Sequence, residues 1–266
     1  MVLIGALSAI AWSSRALAQS THINRNPHVP IDMNRPTIVE IRQYTLHPQQ
    51  RDVLMDLFEK EFILPQESAG AVVLGQFVDL DDPDRFVWLR GFESMQSRER
   101  ALTAFYGGTA WKAHRAAANA TMLDSDNVLL LRMLDGNLAP AAQGGPSRGG
   151  VFTVFIHYIP PALMQLFQAF FETHLRKRLE SWGVNVIATL QTELGANTFP
   201  QLPVRTGEDV FVWLSRQADN SEQEQLLARF RAMSGWREGA AEPLLPAFMR
   251  KPEVLRLNPS GHSKLR

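Results

Sequence analysis

The sequence predicts an α+β protein made of two tandem ferredoxin-like domains, each β-α-β-β-α-β, packed sheet to sheet as an intramolecular α/β barrel. Three observations predict it. The tetrapeptide FVWL occurs at Phe86–Leu89 and again 125 residues later at Phe211–Leu214. At the same spacing Glu99 recurs as Glu224, Leu102 as Leu227, Phe105 as Phe230 and Trp111 as Trp236, which marks an internal repeat. Between the copies, residues 136–150 are rich in glycine, alanine and proline and have no apolar period, as a linker requires.

The first copy, residues 37–135, opens with the alternating strand Ile38 to Leu46. Asp52 to Phe62 places Val53, Leu54, Leu57, Phe58 and Phe62 at the i, i+3, i+4 spacing of one helix face. Ala71 to Leu80 and Arg85 to Phe92 are strands joined by Asp81-Asp82-Pro83-Asp84, a turn sequence. A second helical region runs from about Ser97 to Leu123, interrupted at Gly107-Gly108 with Thr109 as the expected N-cap of the restart, and Val128 to Leu134 closes the copy.

The second copy, residues 151–258, repeats the order. Val151 to Ile159 is a strand, Pro160-Pro161 opens a helix that ends near Gly183, and Val184 to Leu190 and Val210 to Leu214 form the hairpin. Ser221 to Glu224 has the capping-box pattern of a helix start, and Val254 to Leu257 is the last strand. Upstream of FVWL the offset reads as 114, pairing Tyr44 with Tyr158; the difference falls in Glu193 to Asp209, a loop longer than its counterpart. A sheet with both helices on one face leaves its other face bare, and the second copy is expected to cover it. Residues 259–266 read as a tail, with His262 in a disordered end.

Ahead of the first copy, an apolar run from Val2 to Trp12 precedes Ala16-Leu17-Ala18, the small-residue spacing of a signal peptidase site. It predicts a leader over residues 1–18, a periplasmic or secreted protein, and a flexible arm over 19–36; no lysine or arginine precedes the run, an atypical feature. Nothing later approaches the apolar length of a membrane-spanning helix. Basic and acidic residues number 27 each, so no charge excess points to nucleic acid. The chain has no cysteine, which excludes disulfides, a thiol nucleophile and cysteine-ligated metal.

Val39-Glu40-Ile41-Arg42-Gln43-Tyr44-Thr45-Leu46, followed by Pro48 and an amphipathic helix, resembles the opening strand of NIPSNAP family proteins, as do Trp88 and the helical continuation through Trp111. The similarity covers Thr37 to Leu134 well and Val151 to Asn258 more loosely. The resemblance implies the dimeric α/β-barrel fold, whose members include cofactor-independent monooxygenases, haem-dependent enzymes and stress-responsive barrels, and it implies no particular reaction.

Strand alternation puts Glu40, Arg42 and Tyr44 on one face of the first strand. That face is expected to line the barrel interior, joined there by Trp88, Arg90, Tyr158 and Trp213 around a small apolar or aromatic ligand; a buried ion pair that fixes sheet register is the plainer alternative for Glu40 and Arg42. Trp111 and Trp236 read as packing. His157, alternating with Phe155 toward the helices, reads as a hydrogen-bonded core imidazole; a haem ligand at His157 or His174 has no local pattern behind it, and no two histidines share a ligand spacing. The acidic group Asp79, Asp81, Asp82 and Asp84 reads as a hairpin turn rather than a calcium loop. No nucleophile elbow, phosphate loop or dinucleotide turn is present, and no cofactor is expected.

The expected function is ligand binding between the two sheets. The alternatives are a monooxygenase-like enzyme without cofactor, in which Arg42, Tyr44 and Trp88 hold the substrate, and an interaction module that uses its outer helices; a homo-oligomer through those helices is a separate expectation. A solid barrel interior would favour the interaction module.

Overall fold

The computed structural model describes residues 36–138, 149–233 and 250–266, all within one unit from Met33 to Arg266. The expected leader, most of the arm, the centre of the linker and Trp236 lie outside the described residues.

In chain order the elements are β1 (Ile38–Leu46), α1 (Arg51–Glu61), α2 (Ile63–Ser68), β2 (Val72–Asp79), β3 (Arg85–Phe92), α3 (Met95–Gly107), α4 (Thr109–Asn119), β4 (Met122–Asp124) and β5 (Val128–Gly136). The second half continues with β6 (Val151–Tyr158), α5 (Met164–Phe170), α6 (Arg176–Ser181), β7 (Asn185–Thr192), β8 (Val210–Gln217), α7 (Asn220–Ala232) and β9 (Glu253–Pro259). A π-helical turn, Phe171–Leu175, joins α5 to α6. The short β4 is an element that the alternation did not reveal.

Two local expectations are corrected. Gly108, extended at φ −78° and ψ 169°, caps α4, and Thr109 is already helical with no capping bond. Asp219, not Ser221, caps α7 by accepting from the Glu222 N–H over 2.9 Å. The acidic turn forms as expected: Asp79 and Asp82 accept from the backbone of Asp81 and Asp84, and Arg85 pairs with both carboxylates at 3.1 Å.

Eight antiparallel strands pair in the ring β1-β3-β2-β9-β6-β8-β7-β5 and back to β1, with β4 attached to the end of β1. The two halves join at β2–β9, from Phe77↔Pro259 to Asp79↔Leu257, and at β5–β7, from Leu131↔Thr192 to Gly136↔Ala188. The two halves thus enclose one barrel, as expected, and the edges of their sheets are hydrogen-bonded into a single continuous wall. Each half alone would leave two rows of unpaired N–H and C=O groups, and closure satisfies them.

One apolar cluster fills the barrel, drawing Val39, Ile41, Val87, Leu89, Val154, Ile156 and their neighbours from all eight strands. Leu265 joins it, because the final residues run along β2: Ser260 and Leu265 donate their N–H groups to Gln76 and Leu74, and buried Ser263 accepts from the Gln76 N–H over 3.3 Å. The end of the chain is therefore a packed strap, which corrects its reading as a loose tail; His262 Nδ1 lies 2.6 Å from Glu59 Oε2. Separate clusters lie between wall and helices, one around Phe58, Phe62 and Trp88 in the first half and one around Phe155, Phe171 and Trp213 in the second. Among the described residues no helix is long and apolar enough to cross a membrane.

Candidate functional site

The strand β1 is buried on both faces, and its polar face is turned the opposite way from the expectation. Val39 and Ile41 point into the barrel, while Tyr44 packs with α1 residues Leu54 and Phe58 on the helix side. Glu40 and Arg42 share the face of Tyr44 by alternation, so Glu40, Arg42, Tyr44, Trp88 and Arg90 line the space between wall and helices, not the barrel interior. The physical reason is the lining available. At the level of Glu40 and Arg42 the interior offers the apolar cluster contributed from both halves, where an ion would lose its hydration without replacement, whereas α2 and α3 supply polar partners; Gln43, on the interior face, bonds Glu253 at 3.1 Å.

Those partners build a network on facing strand positions. In the register of β1 and β3, Glu40 lies opposite Arg90 and Arg42 opposite Trp88. Glu40 Oε2 accepts from Arg42 Nη1 at 2.7 Å and from Arg90 Nε at 2.8 Å, and Glu40 Oε1 accepts from Arg98 Nε of α3 at 2.6 Å. All four side chains are fully buried. Burial pushes the Glu40 carboxyl upward, but the three guanidiniums outweigh it and hold the group well below the usual carboxylate range. Burial also pulls the Arg98 guanidinium downward against the pull of Glu40, and raises the Tyr44 phenol. One carboxylate thus faces three permanent cations, an excess of two positive charges out of water.

A cavity of about 30 Å³ adjoins this network, walled by Tyr44, Phe58, Phe62, Trp88, Tyr106 and Trp111 among others. Arg42 Nε donates to Tyr44 Oη at 2.9 Å, and its guanidinium carbon stands 5.4 Å and 5.5 Å from the Tyr44 and Trp88 ring centres. Gln66 of α2 accepts from Arg90 Nη1 at 3.0 Å. Among the described residues, buried Trp88 Nε1, Arg42 Nη2 and Arg98 Nη2 have no hydrogen-bond acceptor. The outer wall, Tyr106 and Trp111, is half-buried. Over it lies the long loop of the second half: Phe199 stacks on Tyr106 at 5.6 Å, and Arg98 Nη1 donates to Asn197 Oδ1 at 2.9 Å.

Tyr158 and Trp213 do not join this site. Tyr158 donates to Glu253 Oε2 at 2.6 Å and accepts from Arg205 at 2.8 Å, beside the interior cluster. Trp213 stacks on Phe155 at 4.1 Å in the second half's helix-side core and donates to His157 Nε2 at 3.0 Å. His157 is therefore the hydrogen-bonded core imidazole expected of it, and burial lowers its pKa to about 3. His174 is exposed, with its Nδ1 2.7 Å from Thr173 Oγ1.

The register of β6 and β8 sets Phe155 opposite Trp213, as β1 and β3 set Arg42 opposite Trp88. The matching offset on the first strand is therefore 113, not 114, and a slip of one residue moves every side chain to the other face. At 113 the position of Glu40 corresponds to Thr153, Arg42 to Phe155 and Tyr44 to His157. Arg90 and Arg98 correspond at 125 to Ser215 and Gln223. At these matched positions the second half keeps a polar connection through neutral side chains: Gln223 Nε2 donates to Thr153 Oγ1 at 3.0 Å, and Gln223 Oε1 accepts from Arg256 Nε at 3.1 Å.

Sequence reasoning missed Arg98, Gln66, Tyr106 and Phe199. Arg98 was within reach, because Arg98, Leu102 and Phe105 recur at i, i+4 and i+7 on the buried face of α3.

The closed antiparallel wall with helices outside defines an α/β-barrel protein. Residues 39–134, in the first half of the barrel, match the NIPSNAP family model. Over nearly the whole chain the fold is similar to an anthrone oxidase-like protein, at TM-score 0.52 and 12% identity over 84% of this chain and 91% of that one. It is similar also to a monooxygenase-like protein of Fusobacterium nucleatum, at TM-score 0.51 and 8% identity over 85% and 94%. A NIPSNAP family protein of Agrobacterium tumefaciens is 20% identical over 38% of this chain and 89% of its own, with TM-score 0.35. No curated protein matches the chain.

Proposed function

We propose that the protein binds a small planar aromatic molecule between the barrel wall and the helices of its first half. The carrying observation is the difference between two matched positions in one chain. Around Trp88, whose buried Nε1 has no acceptor among the described residues, a cavity adjoins the buried charges; around Trp213, the place of Arg42 is taken by Phe155, which stacks at 4.1 Å with the rings 4° from parallel. We read the barrel as a tandem repeat of two ferredoxin-like domains, about residues 37–135 and 151–258, in which the first copy kept a site and the second became packing. The recurrence of each strand, and of the register that sets Arg42 opposite Trp88 and Phe155 opposite Trp213, supports that reading.

The apolar packing of the interior argues against the site expected between the sheets and, taken by itself, favours an interaction module. The outer cavity restores the ligand reading at a different place. At about 30 Å³ it holds a water or two, while an apolar cavity of about 150 Å³ is needed for a benzene ring. Binding therefore requires Tyr106 and Trp111 to swing outward, with the Phe199 loop lifting from Tyr106. The test is titration of tryptophan fluorescence with a panel of substituted phenols and benzoates, in the native protein and in Ala118→Leu, which fills the cavity from its buried wall. Saturable quenching in the native protein, lost in the variant, supports the site. No response to any compound, or an equal response in a folded variant, contradicts it.

A second reading is that the bound molecule is a phenol oxidised by oxygen without a cofactor. The names of the two fold neighbours suggest it, and the Tyr44 and Trp88 donors beside excess positive charge favour it, because they would stabilise a phenolate. Oxygen uptake with a hydroquinone or anthrone, abolished in Tyr44→Phe, would establish it; no uptake leaves binding alone.

A further inference from the structure

The polar groups on the cavity wall share a direction of hydrogen bonding. Gln66 Oε1 is engaged by Arg90, and since a guanidinium can only donate, the amide must turn its oxygen to Arg90 and its NH₂ away. Tyr44 Oη accepts from Arg42 Nε, which leaves its O–H free to donate elsewhere. Indole nitrogen only donates, and Trp88 Nε1 is buried with no acceptor among the described residues. Three wall groups thus offer N–H or O–H, and the fourth, Tyr106, is a hydroxyl that can serve either way.

Behind this wall stand Arg42, Arg90 and Arg98 against the single carboxylate of Glu40. The groups packed closest around them are neutral: Gln66, Asn197 and the phenols of Tyr44 and Tyr106. Stability does not require such an arrangement, because a buried ionic cluster is commonly no more stabilising than a neutral replacement. The second half joins the same positions with Thr153, Ser215 and Gln223. An excess of buried positive charge, fronted by N–H and O–H donors of which Trp88 Nε1 has no acceptor among the described residues, is the environment of an oxyanion.

We propose that the ligand presents an anionic oxygen, carboxylate or phenolate, to Tyr44, Trp88 and Gln66, with its ring among Phe58, Phe62 and Trp111. The proposal rests on the ligand-site reading above and specifies the charge of what is bound. Benzoate and benzamide have one shape and differ in charge, so calorimetric titration of both at pH 7 isolates it. Benzoate is expected to bind at least about tenfold more tightly, and the ratio to narrow in Tyr44→Phe and in Trp88→Phe, with thermal melts showing that each variant folds. In a phenolate arm, 4-nitrophenol is expected to ionise on binding at a pH about one unit below its free value, read from the absorbance of the ionised form. A shift with 4-nitrophenol but no preference for benzoate identifies phenolate as the form taken. Equal or tighter binding of benzamide, together with 4-nitrophenol bound as the neutral phenol, overturns the proposal and leaves an uncharged ligand. Failure of every compound to bind overturns both readings.

Discussion

Arg98 Nε donates to Glu40 Oε1 over 2.6 Å with both side chains fully buried, so a helix of the first half is tied to the central strand by a buried ion pair. Two more guanidiniums depend on the same carboxylate. Glu40→Gln removes the only negative charge of the group and leaves three buried cations. It is expected to destabilise the fold by about 3–5 kcal/mol, measured by chemical denaturation. A loss under about 1 kcal/mol would mean that the cluster is hydrated.

Phe199 of the second half's loop stacks on Tyr106 over the cavity. Phe199→Ala is expected to cost about 1 kcal/mol of stability from the lost ring contact and to speed ligand association in stopped-flow fluorescence. An unchanged association rate would mean that the ligand reaches the cavity without disturbing this pair.

The buried His157 titrates against the fold. Its folded pKa, about 3, lies below its ordinary value of 6.5, so between those values the unfolded chain binds the extra proton and stability falls as pH is lowered. The Glu40 carboxylate, also depressed, contributes stability that is fully present above its ordinary pKa of 4.5 and is lost only as pH falls below it. Melting between pH 6.5 and 4.5 therefore reports chiefly on His157 among these two, with a total effect on the order of a few kcal/mol once pH reaches the folded pKa. His157→Gln is expected to flatten that slope, and an unchanged slope would contradict a buried neutral imidazole.

The terminal strap closes one side of the barrel core. Leu265 is 8% exposed and packs into the interior cluster, so Leu265→Ala is expected to cost about 2 kcal/mol, read as a lower denaturation midpoint. Removal of residues 260–266 should cost at least as much, and a neutral truncation would show that the strap contributes no packing.

Much of this architecture was legible in the residues. Two-residue alternation and turn chemistry located the eight barrel strands within three residues of their ends, because each is bounded by glycine, proline or aspartate or by a change of period. What alternation could not supply was the side. Both faces of β1 are buried, so the presence of Glu40 and Arg42 marked one face as polar without saying whether helices or the opposite wall would receive it. The reading of Phe155 as helix-facing already held the answer, since at an offset of 113 it carries Arg42 to the helix side; matching Tyr44 to Tyr158 instead shifted the register by one. The Phe199 loop was visible only as an insertion, because its contact with Tyr106 joins residues far apart in the chain.

The most direct measurement replaces the charged set by the neutral one already present in the second half. The variant carries Glu40→Thr, Arg42→Phe, Arg90→Ser and Arg98→Gln together, and its stability and benzoate binding are measured side by side. The charges are proposed to serve the ligand rather than the fold, so the variant is expected to remain within about 2 kcal/mol of the native protein and to lose binding at least about tenfold. A folded variant that binds as before, or one that cannot fold while Arg42→Phe alone leaves binding intact, would contradict that claim.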